Sequence, residues 1–225
     1  MRIKTLGIAA AAAACLVTST SAMAYGAGDF WVRGGWAFVK PTGGHTNLNS
    51  TLGSLGARVQ RPGNDHGPAF TLGYRFTDHF GAELLAAPSS FHSHYNVKTG
   101  ADTVARGSTR VLPPTLTAQY YPLGGTQSQI QPYVGVGATY SIYSSNHLHD
   151  RAGLGDMSVN MKNTWGWAAQ AGVDYMLTEH LGVNAAVWYL DSEPDTKVRL
   201  NGQNVSSKRV DVNPVVVMTG LTWRF

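Results

Sequence analysis

Cysteine is nearly missing from this chain of 225 residues, and the one present, Cys15, lies inside an amino-terminal apolar run. That run, Leu6 to Val17, follows Arg2 and Lys4 and gives way to Ser/Thr and then to Ala22-Met23-Ala24. The order is that of a secretory signal over residues 1–24, ending in a small-x-small cleavage site. Cys15 lacks the Leu three residues ahead that a lipoprotein signal requires, so it reads as apolar filler. The mature chain from Tyr25 then holds no thiol, which excludes a disulfide framework, a cysteine zinc site and a thiol nucleophile together. Missing too is any mature apolar run of the ~20 residues a membrane helix needs. Charge is sparse, at 13%. Without Arg2 and Lys4 the 17 basic residues become 15 against 13 acidic, a net charge of +2 that predicts no nucleic-acid partner.

What the chain does have is glycine, tyrosine and tryptophan in short alternating segments. The last, Val210 to Phe225, places Val215, Val217, Thr219, Leu221, Trp223 and Phe225 on one side of a strand. The opposite side carries Val216, Met218, Gly220, Thr222 and Arg224. The same parity recurs in seven earlier segments, beginning near Asp29, Ala69, Phe80, Thr115, Gln131, Trp165 and Leu181. Long connections of about 40–66, 88–112, 144–163 and 191–208 alternate with tight turns, and Ala152 to Val159 could form a short helix. The pattern predicts an all-β fold: an eight-stranded antiparallel transmembrane β-barrel over residues 25–225, with both mature termini on the short-turn side. Closure removes the sheet edges that would otherwise lie unpaired in lipid. Outward aromatics fall into two bands, Phe30, Phe76, Phe80, Tyr175, Trp223 and Phe225 below and Trp36, Phe38, Tyr140, Trp165 and Trp167 above.

The inward residues sort by height. Arg33, Arg75, Glu83, Gln119, Asp174, Asn184 and Arg224 lie near the short turns or termini and should form a salt-bridged floor. Above them come Ala37, Val39, Leu85, Ala87, Trp188, Leu190, Val216 and Met218, an apolar shaft. Ordinary core packing would fill such a space; one small ligand is the most that an eight-stranded barrel holds. Pro88 and the pair Pro113-Pro114 interrupt neighbouring segments, and proline donates no ladder hydrogen bond. Either they form a lateral notch in the wall or they end the strands above the membrane.

The order Val39-Lys40-Pro41-Thr42, Thr51-Leu52-Gly53-Ser54-Leu55-Gly56, Gly81-Ala82-Glu83-Leu84-Leu85-Ala86, Leu112-Pro113-Pro114-Thr115-Leu116, Pro132-Tyr133-Val134-Gly135-Val136-Gly137, Val187-Trp188-Tyr189-Leu190-Asp191 and terminal Trp223-Arg224-Phe225 resembles the OmpW family of small outer-membrane barrels. The likeness runs over the whole mature chain. It implies residence in the outer membrane of a Gram-negative bacterium and a narrow apolar lumen that assists passive uptake of small hydrophobic molecules. It also implies that Phe225 belongs to a signal read by the barrel-assembly machinery. Partners are then outer-membrane lipid and a small hydrophobic permeant, with no cofactor. The competing reading is a passive structural or receptor barrel with a solidly packed interior. His92-x-His94 and His147-x-His149 put imidazoles in pairs, but zinc wants three or four converging ligands, and no metal site is assigned. Ser144, Ser145 and His147 match a hydrolase only by residue type, so no enzyme is expected.

Overall fold

Segments that alternate apolar and polar residues can satisfy every backbone N–H and C=O inside lipid only by pairing side by side until the sheet meets itself. The computed structural model describes residues 26–42, 46–47, 57–59, 63–86, 91–99, 102–150, 157–200, 203–209 and 211–225. The amino-terminal segment read as a secretory signal lies outside them. In chain order the strands are β1 (Phe30–Pro41), β2 (Thr46–Asn47), β3 (Ala57–Val59), β4 (Asp65–Arg75), β5 (Phe80–Ala86), β6 (Phe91–Thr99), β7 (Asp102–Leu112), β8 (Thr115–Tyr120), β9 (Ile130–Asp150), β10 (Met157–Met161), β11 (Thr164–Met176), β12 (Leu181–Leu190), β13 (Asp195–Leu200), β14 (Gln203–Arg209) and β15 (Pro214–Arg224). Eight of them, β1, β4, β5, β8, β9, β11, β12 and β15, pair antiparallel with their neighbours. The pairing of β15 with β1, from Trp31 opposite Arg224 to Pro41 opposite Pro214, closes the ring.

The parity expected from the sequence holds around the wall. On β1, Trp31, Arg33 and Ala37 are buried while Phe30, Trp36 and Phe38 are exposed. On β11 the buried set is Ala168, Gln170 and Asp174 and the exposed set Trp165, Trp167, Val173 and Tyr175. Trp165 and Tyr175 are ten positions apart on that strand. At ~3.4 Å per residue and a tilt of ~40° they stand about 26 Å apart in height, close to the ~25 Å apolar band of such barrels. Ring pairs mark both borders, Phe30 with Phe225 at 5.7 Å and Phe80 with Tyr120 at 5.3 Å below, Tyr140 with Trp165 at 4.7 Å above.

The four long connections differ from expectation, because most of their described residues are in strands. β6 and β7 form a hairpin, and β7 continues onto the upper half of β9. β10, β13 and β14 make a separate three-stranded sheet. The helix expected over residues 152–159 is also corrected: Met157 to Val159 belong to β10, and the remainder lies outside the described residues. Above the bilayer neither face of a strand meets lipid, so the greasy-polar alternation that marks the wall fades although the hydrogen-bond ladder continues.

The closing seam depends on glycine. Gly35 lies opposite Gly220, and a Cβ on Gly220 would stand 2.2 Å from the Gly34 carbonyl oxygen and 2.6 Å from the Gly35 Cα. Backbone cannot move aside as a flexible side chain can. Gly220→Val should therefore destabilise the barrel by about 1–3 kcal/mol, read as a lower urea midpoint for unfolding from vesicles.

Candidate functional site in the barrel lumen

Each strand sends every second side chain inward, so residues far apart in sequence meet across the lumen. Arg33 on β1 is fully buried and donates through Nε to Asp174 Oδ1 at 3.1 Å and through Nη2 to Asp174 Oδ2 at 2.5 Å, a bidentate pair. Its Nη1 bridges to Glu83 on β5. Nη2 also donates to the Tyr121 hydroxyl at 3.3 Å, and the guanidinium lies over the Tyr133 ring, 4.7 Å from its centroid. Burying an ion costs several kcal/mol unless its hydrogen bonds are met, and these contacts meet them.

The carboxylates are equally well held. Glu83 accepts from Thr71 Oγ1 at 2.9 Å, from Trp31 Nε1 at 3.3 Å and from Gln170 Nε2 at 2.7 Å. Asp174 accepts from Asn184 Nδ2 at 2.9 Å and Thr222 Oγ1 at 3.0 Å. Gln170 extends the network, its Oε1 accepting from Thr117 at 2.8 Å and Gln119 at 3.0 Å, while the Tyr121 hydroxyl donates to Gln119 Oε1 at 2.6 Å. Arg75 lies 3.7 Å above the Tyr121 ring and donates to the Asp78 carbonyl at 3.2 Å. Arg224 sits at the rim, 3.5 Å from Asp29. The seven residues expected to form a polar floor thus all lie at the lower end. Parity alone already put Trp31, Tyr121, Tyr133 and Gln170 inside; their part in the floor needed the register across the barrel.

Above this layer apolar side chains share the interior with polar ones: Thr115 is opposite Leu85, and Gln170 of the floor is opposite Trp188. Ala37, Leu85, Trp188, Leu190, Val216 and Met218 are all buried and belong to one cluster, with Val39 packed against it. Ala87 lies outside the described residues. Exposure of the six buried residues is 5% or less and Val39 is half-buried, so the storey is filled by side chains around Trp188 and no open bore reaches it among the described residues. The Trp188 indole N–H has no hydrogen-bond partner there.

Among the described residues, ladder pairing between β5 and β8 ends at Leu85 opposite Thr115, and pairing between β6 and β7 begins at Phe91 opposite Val111; residues 87–90 lie outside them. On the partner strand this span holds Pro113 and Pro114, neither of which has an N–H to give. On the other side Tyr140 N donates to the Pro114 carbonyl at 3.0 Å. Tyr140 pairs with Trp165, so the two prolines lie level with the upper aromatic girdle. Thr115, next below them, is buried and bonded to Thr139 Oγ1 at 2.9 Å. Pro88 falls outside the described residues. The histidines are not on loops as expected: His92 and His94 are on β6, His147 and His149 on β9.

A family model described as the OmpW family matches residues 26–225. The chain belongs to the OmpW family. It is 40% identical to Outer membrane protein W of Escherichia coli K12 over 227 residues, covering 99% of this chain and all of that one. The Outer membrane protein W of Vibrio cholerae is 33% identical, with 93% and 94% of the two chains covered. Among solved structures, the crystal structure of OprG from Pseudomonas aeruginosa superposes with a TM-score of 0.77 at 35% identity, over 89% of this chain and 97% of that one. This OmpW-family chain is accordingly a β-barrel of the Gram-negative outer membrane.

Proposed function

We propose that the barrel assists passive uptake of small hydrophobic molecules, which enter from the external end, occupy the apolar storey beside Leu85 and Trp188, and leave sideways into the bilayer. The observation that carries this reading is the Pro113-Pro114 pair, level with the upper girdle and directly above Thr115, which leaves two successive positions of the wall without a backbone donor. A buried ionic layer below bars an aqueous path through the lower end, so a molecule in the apolar storey has the wall as its exit. Both mature termini lie on the periplasmic side with the short turns, and Phe225, exposed beside Phe30, serves as the mark recognised during assembly.

Close packing around Trp188 supports a second reading, a structural or receptor barrel that conducts nothing. Uptake of an alkane or terpene probe into vesicles separates the two. Thr115→Trp fills the position next below the two prolines and should slow uptake about fivefold or more, as ~1 kcal/mol on a barrier does. Uptake through the unaltered barrel no faster than through empty vesicles would favour the second reading. Unaltered uptake with Thr115→Trp would remove the lateral route.

A further inference from the structure

The wall of the barrel has a step at its upper rim. Strand β1 pairs with β15 as far as Pro41 opposite Pro214, but with β4 only as far as Val39 opposite Asp65. Residues 63 and 64, which would face the end of β1, are in no strand. At this step lies a cavity of about 390 Å³, within the ~300–1,000 Å³ of small-molecule sites.

Its lining follows from strand parity. Phe38 and Lys40 continue the outward face of β1, and the residues opposite them on β15 are Val217 and Val215. On β4, His66 is opposite Phe38, and its ring meets Phe38 at 6.0 Å and Trp36 edge-on at 5.9 Å. Phe38, Val215 and Val217 thus make apolar walls, and Lys40 and His66 bring polar groups to them. The cavity also touches Val39 and Asp65, but these have the inward parity, and Asp65 Oδ1 accepts from the His66 backbone N–H at 2.8 Å. Phe38, Lys40, His66 and Val217 are all exposed, so the cavity opens on the outer side of the wall. Among the described residues Lys40 has no ion-pair partner.

Height and charge identify the occupant. Phe38 belongs to the upper aromatic band, and Lys40 is two positions above it, about 5 Å higher at ~3.4 Å rise and ~40° tilt. An apolar slot that begins beside the hydrocarbon and ends at a cation in the headgroup layer is complementary to an acyl chain that carries a phosphate. In the outer leaflet of a Gram-negative outer membrane that lipid is a phosphorylated glycolipid. A second cavity farther round the rim, by β11 and β12, lacks this chemistry: there Lys162 shares the lining with Asp191, Glu193 and Asp195, which would repel an anion.

We propose that the cavity at the β1 step binds one such glycolipid, with an acyl chain against Phe38, Val215 and Val217 and a phosphate oxygen on the Lys40 ammonium. An ammonium is a compact charge with three donors, and a neutral imidazole adds a single N–H. The proposal is independent of whether the lumen conducts.

The test measures affinity of the purified full-length mature barrel in detergent for bisphosphorylated lipid A and for lipid A stripped of phosphate. The phosphorylated form should bind about fivefold tighter or more, which is ~1 kcal/mol. Lys40→Gln should remove that preference and Lys40→Arg should keep it. Lys162→Gln alters the net charge equally and should leave the preference unchanged. Val217→Trp fills the apolar wall and should weaken both lipids alike, by about fivefold or more. Folding of each variant is checked by its heat-dependent mobility in gels. Equal affinity of the unaltered chain for the two lipids would overturn the proposal, as would a preference that survives in folded Lys40→Gln or is lost equally in Lys162→Gln, or an affinity that Val217→Trp does not move. Inorganic phosphate or phosphatidylglycerol binding as tightly as lipid A would also overturn it, since a bare anion or a phospholipid would then be the ligand.

Discussion

Replacing Arg33 with Met should cost the barrel about 3–5 kcal/mol, or prevent folding outright. Arg33 is the bridge between Glu83 and Asp174, with both of its partners fully buried. Its removal leaves two carboxylates facing one another across a lumen into which water does not reach. Thr71, Trp31, Gln170, Asn184 and Thr222 would still donate to them, but they supply no countercharge. The energetic weight therefore lies in the uncompensated charge and not in the loss of contacts. A compound variant separates these causes: Arg33→Met with Glu83→Gln and Asp174→Asn removes the whole ionic set and should recover most of the lost stability, because a buried ion pair replaced entirely is often near neutral. Urea unfolding from vesicles measures both. If the compound variant is as unstable as the single one, the floor holds the barrel by shape and not by charge balance. Arg33→Lys should fall between, since an ammonium keeps the charge but cannot reproduce the bidentate grip on Asp174.

The wall of this barrel was legible in the sequence because lipid imposes a strict two-residue period. Arg33, Glu83, Asp174 and Trp188 were each assigned to the interior by parity, and each is there. The register was not legible. Arg33 and Asp174 are 141 residues apart, and nothing local says that β1 and β11 face one another across the lumen. For the same reason Gln170 and Tyr121 could be placed inside but not joined to the floor. The external strands escaped notice because their faces meet water and carry no periodic signal: His92 to Asn96 reads as loop composition, though it is half of a hairpin. Ala37 and Ala186 belong with Trp188 to the one buried cluster.

That indole decides between the two readings of the lumen, and Trp188→Ala should have the larger effect of any change in the apolar storey. Removing a buried Trp costs about 3–5 kcal/mol when the surroundings do not collapse. Here they have little freedom to do so, because the neighbouring positions Gln170 and Val216 are pinned by ladder pairing on either side. A cavity would remain in the cluster that also holds Leu85, which pairs with Thr115 next to Pro114. If displacement of Trp188 limits passage, uptake of a bulky apolar probe into vesicles should rise about tenfold even as stability falls, since ~1.4 kcal/mol taken from the barrier suffices. If the barrel conducts nothing, stability falls and uptake stays at the level of empty vesicles. Trp188→Phe distinguishes bulk from polarity: it keeps a ring in place but removes the indole N–H that has no partner among the described residues. A storey that serves only as packing should tolerate Phe with little loss, because an unsatisfied buried donor costs ~1–3 kcal/mol and its removal offsets part of the lost volume. A storey that greets permeants with that N–H should instead lose uptake of oxygen-bearing terpenes in the Phe variant while uptake of plain alkanes is retained.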